Sequence, residues 1–189
     1  MDQDETTQSN DELAALARRI DRPVVLVGMM GTGKSSIGRR LASLLHLPFV
    51  DADEAIEEAA QLTIAEIFER HGEAAFRDGE RRVIARLMDG ERKVIATGGG
   101  AFVNAETRAL ILTKAITIWL DADIDTLVER TTRKDTRPLL RNGNPREILT
   151  RLRDERRPAY AEAPIHVTSG RGPQSRTVAR VLKEIDAWL

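Results

Sequence analysis

Residues 28–35, Gly28-Met29-Met30-Gly31-Thr32-Gly33-Lys34-Ser35, constrain this chain more than any other segment. They fit the pattern G-x-x-x-x-G-K-[ST], which makes a phosphate cradle where a strand enters it and a helix leaves it. Both neighbours are present. Val24-Val25-Leu26-Val27 is wholly apolar, as in a strand buried on both faces. A helical pattern follows from about Lys34 to Leu45. The glycines let the backbone curl so that successive N–H groups point inward at phosphate oxygens. The helix adds the positive end of its dipole. Gly31, Thr32, Gly33, Lys34 and Ser35 are therefore candidate ATP-binding residues. Lys34 reaches the β- and γ-phosphates as a point charge, and the Ser35 hydroxyl is placed to ligate Mg²⁺.

The rest of the chain repeats the alternation. Pro48–Asp51, Lys93–Thr97, Ile116–Leu120 and Ile165–Thr168 read as strands. Helical patterns separate them: much of 53–88, with a break near His71-Gly72, and a last helix from about Gln174 to Trp188. Such an order predicts an α/β fold with a parallel sheet covered on both faces. Ligands of these sheets sit at the carboxyl ends of the strands. The cradle, Asp51 to Asp53, and Gly98-Gly99-Gly100 all lie at such ends. At the N-terminus, residues 1–10 are polar and expected to be disordered. Asn10 or Asp11 is placed to cap a short helix carrying Leu13, Leu16 and Ile20, packed on the domain surface.

Composition narrows the function. The 189 residues suit one compact domain. A net charge of -1 and 4% aromatic residues give neither the basic field nor the stacking platform of a nucleic-acid binder. The chain has no cysteine, which removes disulfides, thiolate metal sites and a thiol nucleophile. Asp2, Asp4 and Glu5 without an apolar core do not form a secretory signal, and no apolar run reaches the length of a bilayer span. A cytoplasmic enzyme, with no membrane or nucleic-acid partner, is the expectation.

Several side chains carry two readings each. Asp51 and Asp53, two apart at a strand end, point the same way in extended geometry. One can hold Mg²⁺ through water while the other faces an acceptor hydroxyl; alternatively, Asp53 only caps the next helix. Arg77 and Glu80 share a helix face. They form either a solvated surface pair or a rigid arginine that grips a substrate carboxylate. The triple glycine at 98–100 is either a tight turn or a place where a ligand approaches backbone. The polar, basic stretch 131–144 is either a solvated loop or a lid over phosphates, and Arg137 within it, like Arg156 further on, is either surface charge or an anion contact.

Taken in order, these pieces resemble shikimate kinase over roughly 23–185. The resemblance is carried by the cradle, Asp51-Ala52-Asp53, Ile64-Ala65-Glu66-Ile67-Phe68, Gly72-Glu73 with Phe76-Arg77 and Glu80, the triple glycine, Arg137-Pro138-Leu139-Leu140, and Arg156 with Pro158 and Tyr160. It implies a three-layer P-loop fold of the nucleoside-monophosphate-kinase type: a five-stranded parallel sheet in order 2-3-1-4-5, flanking helices and a mobile lid at about 131–144. The expected organisation is an N-terminal extension over 1–22 and one kinase domain over 23–189. The implied reaction is transfer of the ATP γ-phosphoryl group to the 3-hydroxyl of shikimate. Implied roles are Lys34, Asp53 and Arg137 in catalysis, with Asp53 on the acceptor hydroxyl. Arg77 and Arg156 would hold the ring carboxylate, and Gly98, Gly99 and Gly100 the ring hydroxyls. Ser35, and Asp51 through water, would hold Mg²⁺. Ser36 would join the cradle residues in binding ATP, and Arg130 and Pro173 would flank adenine. The partners expected are ATP and shikimate, and the expected state is a monomer. Competing readings are a kinase of similar fold acting on gluconate or a nucleoside monophosphate, and a non-catalytic nucleotide-binding switch. The arginines suit a carboxylate and the glycines suit hydroxyls better than either needs.

Overall fold

The computed structural model describes residues 2–133 and 143–189, with side chains from Asn10 onward. Its five strands are β1 (Val24–Val27), β2 (Phe49–Asp51), β3 (Val94–Ala96), β4 (Ile116–Asp121) and β5 (Ile165–Thr168). They form one parallel sheet in the order β2-β3-β1-β4-β5, the order the resemblance implies. The interior strands β1, β3 and β4 are buried along their whole length, which explains the unbroken apolar sequence of β1 and β3 and the largely apolar one of β4, where only Thr117 and Asp121 are polar. Edge strand β5 alternates instead: Ile165 and Val167 point inward, His166 and Thr168 outward.

Helices cover both faces. On one side α1 (Asp2–Arg19), α2 (Lys34–Leu45) and α8 (Gln174–Trp188) pack around Leu26, Ile118, Leu41 and Val181. On the other, the C-terminal half of α4 (Ile64–Met88), then α5 (Ala105–Lys114), α6 (Ile124–Thr132) and α7 (Pro145–Tyr160), enclose Val25, Ile84, Phe102 and Trp119. A smaller core of Ile56, Ile67 and Phe76 joins α3 (Ala52–Ala60) to the first half of α4. Gly72, at φ 80°, breaks α4 where the sequence predicts a break. Thr63 and Glu66 close a reciprocal cap at its start.

The N-terminal helix differs from its sequence reading. It begins at Asp2, not at Asn10 or Asp11, and its last turns join the core rather than resting on the surface. Leu16 and Ile20 are buried against α2 and α8 residues. Arg92 Nη1 donates to Ala17 O at 2.9 Å and Ile20 O at 2.7 Å, satisfying carbonyls that a helix end leaves open. No helix among the described residues is long and apolar enough to cross a membrane.

Candidate active site

The site gathers where β1, β2 and β3 end. Chain leaving β1 passes close to β4: a Cβ on Gly28 would collide with the carbonyl oxygen of Leu120. Gly33 enters α2 in the left-handed region, at φ 93°, with no side-chain cap. Helices α3 to α7 all begin on a capping Asp, Thr or Asn side chain. Helix α2 thus starts without a side-chain cap, and no acidic residue sits in its first turn, so its positive end is left to an anion. Thr32 Oγ1 donates back to Met29 O at 2.9 Å and closes the loop internally. Lys34 Nζ donates to Gly28 O and Met29 O, both at 2.8 Å, which holds the cation over the loop.

Next to the cradle, Ser35 Oγ donates to Asp51 Oδ2 at 2.6 Å. The other oxygen, Asp51 Oδ1, accepts from Asp53 N at 3.0 Å and caps α3. This corrects the sequence reading in two respects. The capping aspartate is Asp51, and Asp53 lies inside the first turn of α3, so strand alternation does not orient the pair. The chain turns helical at Ala52, one residue too early for that argument.

Asp53 instead faces the triple glycine. A Cβ on Gly98 would stand 2.7 Å from Asp53 Oδ1. A Cβ on Gly99 would stand 3.2 Å from Arg156 Nη1 and 3.5 Å from Met30 N of the cradle. A Cβ on Gly100 would stand 2.7 Å from Arg77 Nη1. Each glycine therefore leaves room for one charged side chain, drawn from α3, α7 and α4 respectively. The three candidates separated by up to 103 positions in sequence meet on one short backbone segment.

Arg77 is held by Glu80, Nη1 to Oε2 at 2.7 Å, and more distantly by Glu73 at 3.7 Å. Glu80 is 1% exposed, so the two do not form a solvated surface pair. Burial pushes the Glu80 carboxyl above its ordinary value; Arg77 opposes this, and nearby Asp53 adds to it.

Arg130 crosses from α6 to the cradle. Its Nη1 donates to Gly31 O at 3.2 Å and to Ser169 Oγ at 3.1 Å, and its Nη2 to Gly170 O at 2.7 Å. It thus ties the loop to the segment that leads to Pro173 at the start of α8. Arg137 and most of the stretch 131–144 lie outside the described residues.

Two side chains without a role in the sequence reading also reach the site. Tyr160 donates its hydroxyl to Gly99 O. Arg153 binds Asp121 at the end of β4, Nη2 to Oδ2 at 3.0 Å. The signal for both is their spacing: they sit three before and four after Arg156, on its face of α7.

Phosphoryl transfer to a small acid needs an anion cradle opening directly onto groups that read a carboxylate, and Met30 and Gly99 put those two parts side by side. Fold and site together define a small-molecule kinase of the P-loop class. The shikimate kinase family model matches residues 30–186. A shikimate kinase of Novosphingobium aromaticivorans is 62% identical, with all of both chains covered. One from Caulobacter vibrioides is 57% identical over 92% of this chain and 85% of the relative. Among solved structures, a shikimate kinase from Acinetobacter baumannii in complex with shikimate superposes with a TM-score of 0.85 at 34% identity, covering 94% of this chain and 97% of the other. The chain belongs to the shikimate kinase family, a family of ATP-dependent kinases.

Proposed function

We propose that the chain transfers the γ-phosphoryl group of ATP to the 3-hydroxyl of shikimate, giving shikimate 3-phosphate and ADP, a step of chorismate and aromatic amino-acid biosynthesis in the cytoplasm. The observation that carries this reading is the convergence of Asp53, Arg156 and Arg77 on Gly98, Gly99 and Gly100, beside the cradle.

The chemistry follows from these groups. The oxygen of the 3-hydroxyl forms a bond to the γ-phosphorus while the bond to the β,γ-bridging oxygen breaks and ADP leaves. Asp53 aims the hydroxyl and receives its proton. Arg77 and Arg156 hold the ring carboxylate through charge-assisted bonds, with Arg77 fixed in place by Glu80. The glycine backbone offers its polar groups to the ring hydroxyls. N–H groups at the start of α2, Gly31, Thr32 and Gly33 of the loop, and the hydroxyls of Ser35 and Ser36 bind the phosphates. Lys34, joined by Arg137, offsets the charge on the transferring group. Arg130 and Pro173 flank adenine.

Mg²⁺ fits the donor set at the cradle. Ser35 Oγ and Asp51 Oδ2, 2.6 Å apart, are hard oxygen donors, and Mg²⁺ is usually bound by one or two such groups plus water and phosphate. Ser35 would bind it directly and Asp51 through water. The ion would neutralise charge on the β- and γ-phosphates.

The test is ADP release with Mg²⁺ and ATP, comparing shikimate with gluconate and AMP. Shikimate alone is expected to stimulate release. No stimulation, with ATP binding intact, would remove the acceptor assignment and leave a kinase of another acceptor or a nucleotide-binding switch.

A further inference from the structure

Three successive glycines lack the side chains that restrict a backbone, so their peptide planes turn easily unless something else holds them. All three carbonyls are held. Gly98 O accepts from Ala101 N at 3.3 Å and Gly100 O from Val103 N at 3.2 Å, both within the turn that follows β3. Gly99 O is held from outside that turn, by the hydroxyl of Tyr160, 61 residues away in sequence.

That hydroxyl has a fixed position. The Tyr160 ring is 1% exposed and stacks against Phe102 at 6.5 Å and Trp119 at 5.9 Å. No peptide bond among the described residues is cis. In a trans peptide the N–H points opposite to the carbonyl before it. Holding Gly99 O therefore sets the direction of Gly100 N–H, on the side away from Tyr160. Burial also pushes the phenol up to about 12, with Arg156 pulling the other way, so the group stays a donor at any ordinary pH.

The same contact fixes α7. Arg153, Arg156 and Tyr160 lie along one helix face. Arg153 ties that face to buried Asp121 of β4, and Tyr160 ties it to the glycine segment. Arg156 stands between the two ties, its Nη1 3.2 Å from the Cβ position of Gly99.

We propose that Tyr160 is a positioning residue for the acceptor: its hydroxyl orients the Gly99–Gly100 peptide and sets the level at which Arg156 meets the substrate carboxylate. This rests on the acceptor reading given above. A Tyr160 that only filled the core between Phe102 and Trp119 would be replaced by Phe without kinetic consequence.

The experiment compares wild type with Tyr160→Phe, which keeps the ring and removes the hydroxyl, in steady-state ADP release against both substrates, with thermal melting alongside. The KM for shikimate is expected to rise about five- to tenfold, the scale of one lost hydrogen bond, with the KM for ATP unchanged. Arg153→Lys loosens the other tie, leaves Tyr160 in place, and is expected to raise the same KM by about two- to fivefold. It decides the matter if Tyr160→Phe does not fold. An unchanged shikimate KM, or equal rises in both KM values, would overturn the proposal. An active wild type with an unaltered variant defeats only the positioning role. A wild type without shikimate-dependent ADP release defeats the acceptor reading and this inference with it.

Discussion

Asp51 divides its carboxylate between two tasks: Oδ2 accepts from the Ser35 hydroxyl at 2.6 Å, and Oδ1 accepts from Asp53 N at 3.0 Å. One side chain thereby couples the proposed Mg²⁺ position to the start of the helix that carries the proposed base. The two tasks separate chemically. Asn caps a helix about as well as Asp, but it brings no charge to a cation. Asp51→Asn is therefore expected to melt close to wild type, while the Mg²⁺ concentration for half-maximal activity rises about tenfold or more, as for other groups that hold a metal's water. A Mg²⁺ titration of both proteins, with melting curves, checks it. An unchanged Mg²⁺ requirement would confine Asp51 to capping.

Arg77 and Glu80 make a second separable pair. Arg77→Ala removes charge-assisted bonds worth roughly 1.5–3 kcal/mol each. The KM for shikimate is expected to rise by about tenfold or more, far above any change for ATP. Equal effects on both substrates would remove Arg77 from the carboxylate clamp.

Glu80 adds a pH signature. Burial raises its carboxyl above the ordinary 4.5. Between 4.5 and the raised value the folded protein retains a proton that the unfolded chain has released. The contribution of this group to stability therefore falls as pH rises through that window. Glu80→Gln has no such proton to lose. The difference in Tm, variant minus wild type, is expected to move in the variant's favour between about pH 4 and pH 7. A difference constant across that range would show that Glu80 titrates alike in both states.

The sequence made some of this legible and hid the rest for physical reasons. The strand–loop–helix around Gly28–Ser35 is readable because local chemistry specifies each part: an apolar run, glycines with special backbone angles, and an uncapped helix start. The parallel sheet follows from the all-buried strands β1, β3 and β4. Spacing alone did not divide the labour between Asp51 and Asp53, because which of them caps the helix depends on its beginning at Ala52 rather than two residues later. Nor was the burial of Glu80, which depends on what α4 packs against rather than on its own pattern. Tyr160 was visible as part of a motif, but its partner lies 61 residues away and is a backbone oxygen without sequence identity.

Helix α1 illustrates the same limit and supplies another prediction. Leu16 and Ile20 show helical spacing, yet spacing does not reveal that they enter the core shared by α2 and α8. Ile20 is 0% exposed. Ile20→Ala is expected to cost about 2–5 kcal/mol, or roughly 5–15 °C in Tm, with both KM values unchanged. Thermal melting checks it. A Tm within about 2 °C of wild type would mean that α1 can leave the core at little cost.

The glycines offer a direct test of how the site is partitioned. A Cβ at residue 98 would press on the Asp53 carboxylate at 2.7 Å, and one at residue 100 on the Arg77 guanidinium, also at 2.7 Å from Nη1. Both obstacles are ends of flexible side chains, so each can move aside without unfolding the protein. Displacing a reacting group by about 1 Å can cost 10²-fold in rate. Gly98→Ala is therefore expected to lower kcat by about that factor with modest change in either KM. Gly100→Ala is expected to act on binding instead, raising the KM for shikimate about tenfold through the displaced Arg77. Steady-state kinetics of the two variants, with melting curves to show that both fold, separates these outcomes. The same pattern in both variants would mean that the glycine segment serves the turn itself, and that Asp53 and Arg77 do not act as separate groups upon it.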